Sequence, residues 1–223
     1  MGLCLWGCRE RGTGAQPGAT PPAPAGTAAE LPRVVFMGTS LTAGLGLDPD
    51  SAFPALVARA IDSAGLHYTA VNAGESGESS AGALHRVDWL LKQHPAVLLL
   101  ETGANDGLRG QDPDSTRANV QAIIDRIRAA SPETRIVLIG MEAVPNMGAD
   151  YVRRFRAIFP TLARLNRLPL IPFLLEGVGG VDSLNQQDGI HPNAAGARIV
   201  ARNVWNVLQP VLTDLQAAIA RDS

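Results

Sequence analysis

Residues 34–46 read VVFMGTSLTAGLG. The apolar run Val34-Val35-Phe36-Met37 has the look of a short buried parallel strand, and it stops at Gly38. Ser40 follows two residues later, ahead of Leu-Thr-Ala-Gly, which can open a helix or a loop. A hydroxyl so placed stands at the carboxyl edge of a sheet, where open α/β folds bind ligands. Read alone, Thr39 and Ser40 are ordinary turn and cap residues. The rest of the chain decides whether Ser40 is more than that.

Outward from this stretch, strand and helix patterns alternate. The first strand covers residues 33–37, and residues 51–64 are helical, with Phe53, Leu56, Val57, Ala60 and Ile61 on one face and Gly65 closing the helix. A second strand is expected at 67–72 and a helix at 80–93. The third strand, 96–101, has a Val-Leu-Leu-Leu centre that reads as buried on both faces. A helix at 115–130 carries Val120, Ile123, Ile124 and Ile127 at helical spacing, and Ser131-Pro132-Glu133 breaks it. A fourth strand at 135–140, a helix at 149–166 and a short fifth strand at 168–173 follow. The last helix, 193–208, is expected to be kinked or broken at Pro210 before it continues to 219. Five strands alternating with helices imply an α/β fold with a parallel sheet covered on both faces. Right-handed crossovers place every strand-to-helix loop on one edge.

Composition bounds the function. The chain has 223 residues, 46% hydrophobic, enough for one α/β domain plus a tail. Net charge is −2 and the arginines are scattered, so no nucleic-acid surface is indicated. Lys92 is the only lysine and has no glycine-rich loop before it, which disfavours phosphate-loop and Schiff-base chemistry. No run of 18 apolar residues exists to cross a membrane. Cys4 and Cys8, the two cysteines, lie in the first eight residues, where C-x3-C without further partners makes a poor zinc site.

Residues 1–31 differ from the remainder. Residues 9–29 are rich in Gly, Pro, Ala and Thr, the composition of a flexible tether. Leu5-Trp6-Gly7-Cys8 resembles the end of a bacterial lipoprotein signal, without the basic start and with only a few apolar residues. Either the start lies inside a longer signal, with Cys8 lipidated and the protein extracytoplasmic, or the segment is a tail without a role. The domain itself is expected to span 32–219.

Four segments on the shared edge could carry chemistry. A serine hydroxyl needs a base before it is a useful nucleophile. Of the four histidines, His67 opens a strand, His85 lies inside a helix and His94 precedes a proline at a helix end. His191 falls in Asp188-Gly189-Ile190-His191-Pro192-Asn193. An Asp three residues before a His, with Gly between them, can reach Nδ1–H and leave Nε2 outward as a base. The same residues also suit a helix start. In Gly74-Glu75-Ser76-Gly77-Glu78-Ser79, the Gly77 N–H can approach a substrate oxygen closely; a plain turn and cap is the other reading. The second strand ends in Asn72 rather than an acid, and no full G-x-G-x-x-G exists, which counts against dinucleotide binding. Asn105, in Thr102-Gly103-Ala104-Asn105-Asp106, can offer its amide to an oxyanion or simply form a turn.

Taken together, Gly38-Thr39-Ser40-Leu41-Thr42-Ala43-Gly44, Asn72-Ala73-Gly74-Glu75-Ser76-Gly77-Glu78-Ser79-Ser80, Gly103-Ala104-Asn105-Asp106-Gly107-Leu108-Arg109-Gly110 and Asp188-Gly189-Ile190-His191-Pro192-Asn193 resemble the four blocks of the SGNH (GDSL) hydrolase superfamily, in its bacterial arylesterase and acyl-thioesterase branch. The resemblance runs from Arg33 to Leu212. It implies a three-layer α/β/α flavodoxin-like fold with sheet order 2-1-3-4-5. It also implies Ser40 as nucleophile, Asp188 and His191 as its triad partners, and Gly77, Asn105 and the Ser40 N–H as oxyanion donors. The family usually has Asp immediately before the nucleophile; here Thr39 keeps a hydroxyl and loses the charge. Because that Asp is not a triad member, Thr39→Asp is expected to change rate or stability modestly, by less than a factor of about a thousand in kcat/KM.

The expected activity is therefore hydrolysis of carboxylic esters, aryl and short-to-medium acyl, and of acyl thioesters, with no metal or organic cofactor. The acyl pocket is expected from Leu108, Met141, Val144, Pro145 and Met147, which are apolar and suit acyl or aryl groups. The alternatives are a carbohydrate O-acetyl esterase and a non-catalytic acyl-binding protein. The expected partner is a small-molecule ester, with membrane contact only through lipid on Cys8.

Overall fold

A computed structural model describes residues 30–222, together with Gly2. The expectations for Cys4, Cys8 and the tether lie outside the described residues. From Leu31 onward the chain forms one compact unit. Its elements are β1 (Arg33–Gly38), α1 (Ser40–Ala43), α2 (Phe53–Ser63), β2 (Thr69–Gly74), α3 (Ser80–Leu91), β3 (Pro95–Glu101), α4 (Ala104–Leu108), α5 (Pro113–Ala130), β4 (Arg135–Ile139), α6 (Ala149–Arg156), α7 (Ile158–Asn166), β5 (Leu170–Ile171) and α8 (Ala194–Asp222).

The sheet is parallel throughout, in the order β2-β1-β3-β4-β5. The expected order is therefore the observed one. Right-handed crossovers put α3, α5 and α7 on one face and α2 and α8 on the other, consistent with the packing of α3 on α5, α5 on α7 and α2 on α8. Val34, Val35, Val97 to Leu100, Val137 and Leu138 are fully enclosed, which is why the central strands read as unbroken apolar runs. Ile123, Ile124 and Ile127 of α5 and Val204, Leu208 and Leu212 of α8 close the two layers. Among the described residues no helix is long and apolar enough to cross a membrane.

Several boundaries differ from the sequence expectation, and prolines and glycines explain most of them. The helix expected over 149–166 is two helices that meet at Ala157. Pro160 has no N–H to give the carbonyl of Arg156 and its ring crowds that carbonyl, so one helix ends and another begins. By contrast α8 runs unbroken through Pro210, where a kink or break was expected. Burial of Val204, Leu208 and Leu212 on either side of the proline holds the segment helical despite the lost bond. β5 is only two residues long because Pro169 and Pro172 bracket it and neither can donate to a ladder. β2 starts and ends two residues later than expected. Gly38 pairs with Gly74 at the end of the β1–β2 ladder, and a Cβ on Gly74 would fall 2.2 Å from the Ala43 nitrogen. That glycine lets α1 lie against the end of β2.

Candidate active site

The site is assembled at the carboxyl edge of the sheet by the four loops singled out above. Ser40 is the first residue of α1 and is 9% exposed. Its turn is tight: a Cβ on Gly38 would lie 1.9 Å from Thr42 Oγ1. Ser40 Oγ is 2.8 Å from His191 Nε2, across 151 residues of chain. His191 Nδ1 is 2.7 Å from Asp188 Oδ2. The Asp188–His191 turn is local: Gly189 takes φ +71°, and Asp188 Oδ1 accepts the backbone N–H groups of Ile190 and His191 at 2.9 and 3.0 Å. These backbone donors, His191 first, then the imidazole, hold the Asp188 carboxyl down at about 2. One oxygen thus fixes the turn while the other faces the ring. The imidazole has an acceptor at Nδ1 and presents Nε2 to the serine, the arrangement a proton-accepting histidine needs. The other histidines, His67, His85 and His94, are exposed and take no part.

Gly77 and Asn105 line the same cleft as Ser40 and His191, a space of about 200 Å³. Gly77 adopts φ +81°, and Arg109 donates to its carbonyl at 2.9 Å, which fixes the peptide. Asn105 lies in the first turn of α4 rather than in a loop; the helix is entered through Gly103 at φ +91°. Asn105 Nδ2 donates one hydrogen to the Glu78 carbonyl at 3.0 Å and keeps a second. The neighbouring Asp106 is fully buried and accepts the Ser80 N–H at 2.8 Å, the Ser80 hydroxyl and, at 3.3 Å, that of Thr116. It ties α3, α4 and α5 together and so sets the spacing between the Gly77 loop and Asn105 on α4. Glu78 and Arg86 make a bidentate pair at 2.6 and 2.8 Å, and Arg86 also reaches the Gly38 carbonyl at 3.2 Å.

Beside this cleft lies an apolar pocket of about 270 Å³ that shares Leu41, Ala104, Leu108 and Ile190 with it. Of the expected lining residues, Leu108, Met141, Val144 and Pro145 are there. Met147 is not: it sits in a short 3₁₀ turn with its methyl group towards Gly110. Three consecutive helical residues, Pro145–Met147, cannot all point one way, and the turn aims Met147, half-buried, at Gly110. The sequence reading also missed Phe173, Leu175 and Ile190, which complete the pocket. Ile190 was within reach, lying beside His191 in the fourth block.

The other residue not foreseen is Glu101, the last residue of β3, 1% exposed. It accepts the Thr39 N–H at 2.6 Å, the Thr42 hydroxyl at 2.9 Å and the Thr39 hydroxyl at 3.0 Å. Burial raises its carboxyl above the usual range, the three donors oppose that, and the charge of Glu78 adds to it. An acid ending a strand that otherwise reads as core was the available signal. Among the described residues, no three His, Cys, Asp or Glu side chains converge as a metal site.

A 2-1-3-4-5 parallel sheet that brings this serine, glycine, asparagine and histidine to one edge defines an SGNH hydrolase. The chain belongs to the GDSL-like Lipase/Acylhydrolase family, whose profile matches residues 36–199. It is 38% identical over 180 residues to Esterase TesA of Pseudomonas aeruginosa, covering 80% of this chain and 89% of that one. It is 37% identical over 186 residues to Thioesterase 1/protease 1/lysophospholipase L1 of Escherichia coli K12, covering 83% and 87%. The psychrotrophic esterase EstA from Pseudoalteromonas sp., solved inhibited by monoethylphosphonate, superposes with a TM-score of 0.76 at 29% identity, over 81% of this chain and 98% of that one. The protein is a carboxylic ester hydrolase.

Proposed function

We propose that the chain hydrolyses aryl and short-to-medium acyl esters, and acyl thioesters, through an acyl-enzyme on Ser40. His191 Nε2 takes the hydroxyl proton as Oγ attacks the ester carbonyl. Asp188 orients the ring and stabilises the imidazolium. The oxyanion forms among the N–H groups of Ser40 and Gly77 and the free amide hydrogen of Asn105. His191 returns the proton to the leaving group, then activates water to release the acid. The observation that carries this reading is the unbroken series Ser40 Oγ–His191–Asp188, at 2.8 and 2.7 Å, opening onto an apolar pocket. The pocket's lining suits an acyl chain or an aryl ring better than a sugar.

The test is a chain-length series of p-nitrophenyl esters set against acetylated sugars, with Ser40→Ala alongside. Turnover of the nitrophenyl esters that vanishes in Ser40→Ala, with labelling of Ser40 by a fluorophosphonate, supports the reading. Unchanged turnover in Ser40→Ala sinks it, and a preference for acetylated sugars reassigns the substrate. The sequence around Cys8 further supports an extracytoplasmic, lipid-anchored protein, which metabolic labelling with a palmitate analogue tests on Cys8→Ser.

A further inference from the structure

We propose that Glu101 is a positioning residue that holds Ser40 in attacking geometry by gripping the residues on both sides of it, Thr39 and Thr42. The inference rests on Ser40 being the nucleophile. Glu101 comes from β3, the strand beside β1, so its carboxyl enters the Ser40 turn from outside that turn. It makes three hydrogen bonds there: the N–H and hydroxyl of Thr39, and the hydroxyl of Thr42. Ser40 and Leu41 lie between these two anchors, so the first turn of α1 cannot rotate without breaking a buried bond. The approach depends on Gly38, since a Cβ there would sit 2.5 Å from Glu101 Oε2.

Thr39 is fully buried and supplies both an N–H and a hydroxyl donor to the Glu101 carboxyl. Neither residue lines the cleft that Ser40 opens onto, so their influence reaches the reaction only through the serine turn. A displaced Ser40 loses both aim at the carbonyl and the alignment of its own N–H with the oxyanion. Both faults act on the transition state rather than on ground-state binding.

The experiment compares Thr39→Ser, Thr39→Val, Glu101→Gln and the double variant Thr39→Val/Glu101→Gln in the full-length chain. It measures kcat and KM on a p-nitrophenyl ester, the rate of Ser40 labelling by a fluorophosphonate, and the melting temperature. Thr39→Ser keeps kcat within about threefold of wild type. Thr39→Val and Glu101→Gln each lower kcat and the labelling rate by about tenfold or more, with KM within about twofold. The double variant is no worse than the poorer single one, because both act on one contact. Wild-type kcat in both Thr39→Val and Glu101→Gln overturns the proposal, as does a loss confined to KM or to melting temperature. Should Glu101→Gln fail to fold, Thr39→Val against Thr39→Ser decides alone. A wild-type chain that the fluorophosphonate does not label refutes the nucleophile reading itself, a result distinct from these.

Discussion

Replacing Asn105 by alanine removes one specific hydrogen from the site. The Asn105 amide carries two: one is spent on the Glu78 carbonyl at 3.0 Å, and the other has no acceptor among the described residues. If that second hydrogen meets the oxyanion, its loss should lower kcat by about 10²–10³, equivalent to about 3–4 kcal/mol of transition-state stabilisation. The bond to Glu78 contributes separately, to stability, by about 1 kcal/mol. The two effects are measured apart. Steady-state hydrolysis of a p-nitrophenyl ester gives kcat and KM, and chemical denaturation gives the stability change. The expected pattern is a large loss of kcat, a small change in KM and a small loss of stability. A kcat within about threefold of wild type, less than 1 kcal/mol, would refute Asn105 as an oxyanion donor. A loss in kcat matched by a collapse in stability would instead make it a strut for the Glu78 loop.

Three further outcomes are expected. Because its carboxyl is held at about 2 against an ordinary 3.8, Asp188 adds stability that is complete above pH 4 and is lost as pH falls through 2. The side chain is 45% exposed, so screening limits the gain to about 1 kcal/mol, read as a stability difference from Asp188→Asn that closes on acidification. The buried Thr102 hydroxyl has no hydrogen-bond partner among the described residues, so Thr102→Val should raise stability by about 1 kcal/mol in thermal unfolding. Val144→Phe should shorten the preferred acyl chain in the nitrophenyl series, whereas Met147→Ala, outside the pocket, should leave that preference unchanged.

Much of the fold is legible in short stretches. Apolar runs such as 34–37 and 97–100 mark central strands because a strand buried on both faces leaves no position for a polar residue. The Asp188–His191 pair is legible for the same kind of reason: a three-residue spacing across a glycine closes through local backbone bonds. Asn105 was placed on the right edge but in a turn, since five residues of helix after Gly103 carry no periodic signal. Pro160 and Pro210 look alike in sequence, yet one lies in the first turn of a new helix and the other in the middle of an unbroken one. Packing on either side decides between them, and no local pattern reports it.

By itself, then, the sequence determined the α/β class, the single edge that gathers the loops, and which of four histidines has an aspartate at hand. Local hydrogen bonding and the twofold and 3.6-fold periods encode these directly. Only the tertiary structure decided that Ser40 and His191 meet, that Met147 turns away from the pocket, and that Glu101 reaches the serine turn. The first and last of these depend on strand order and register, which bring residues 151 or 62 positions apart into contact. Residues 34–40 end in a serine in either case; a carboxyl from the neighbouring strand is what holds it in place.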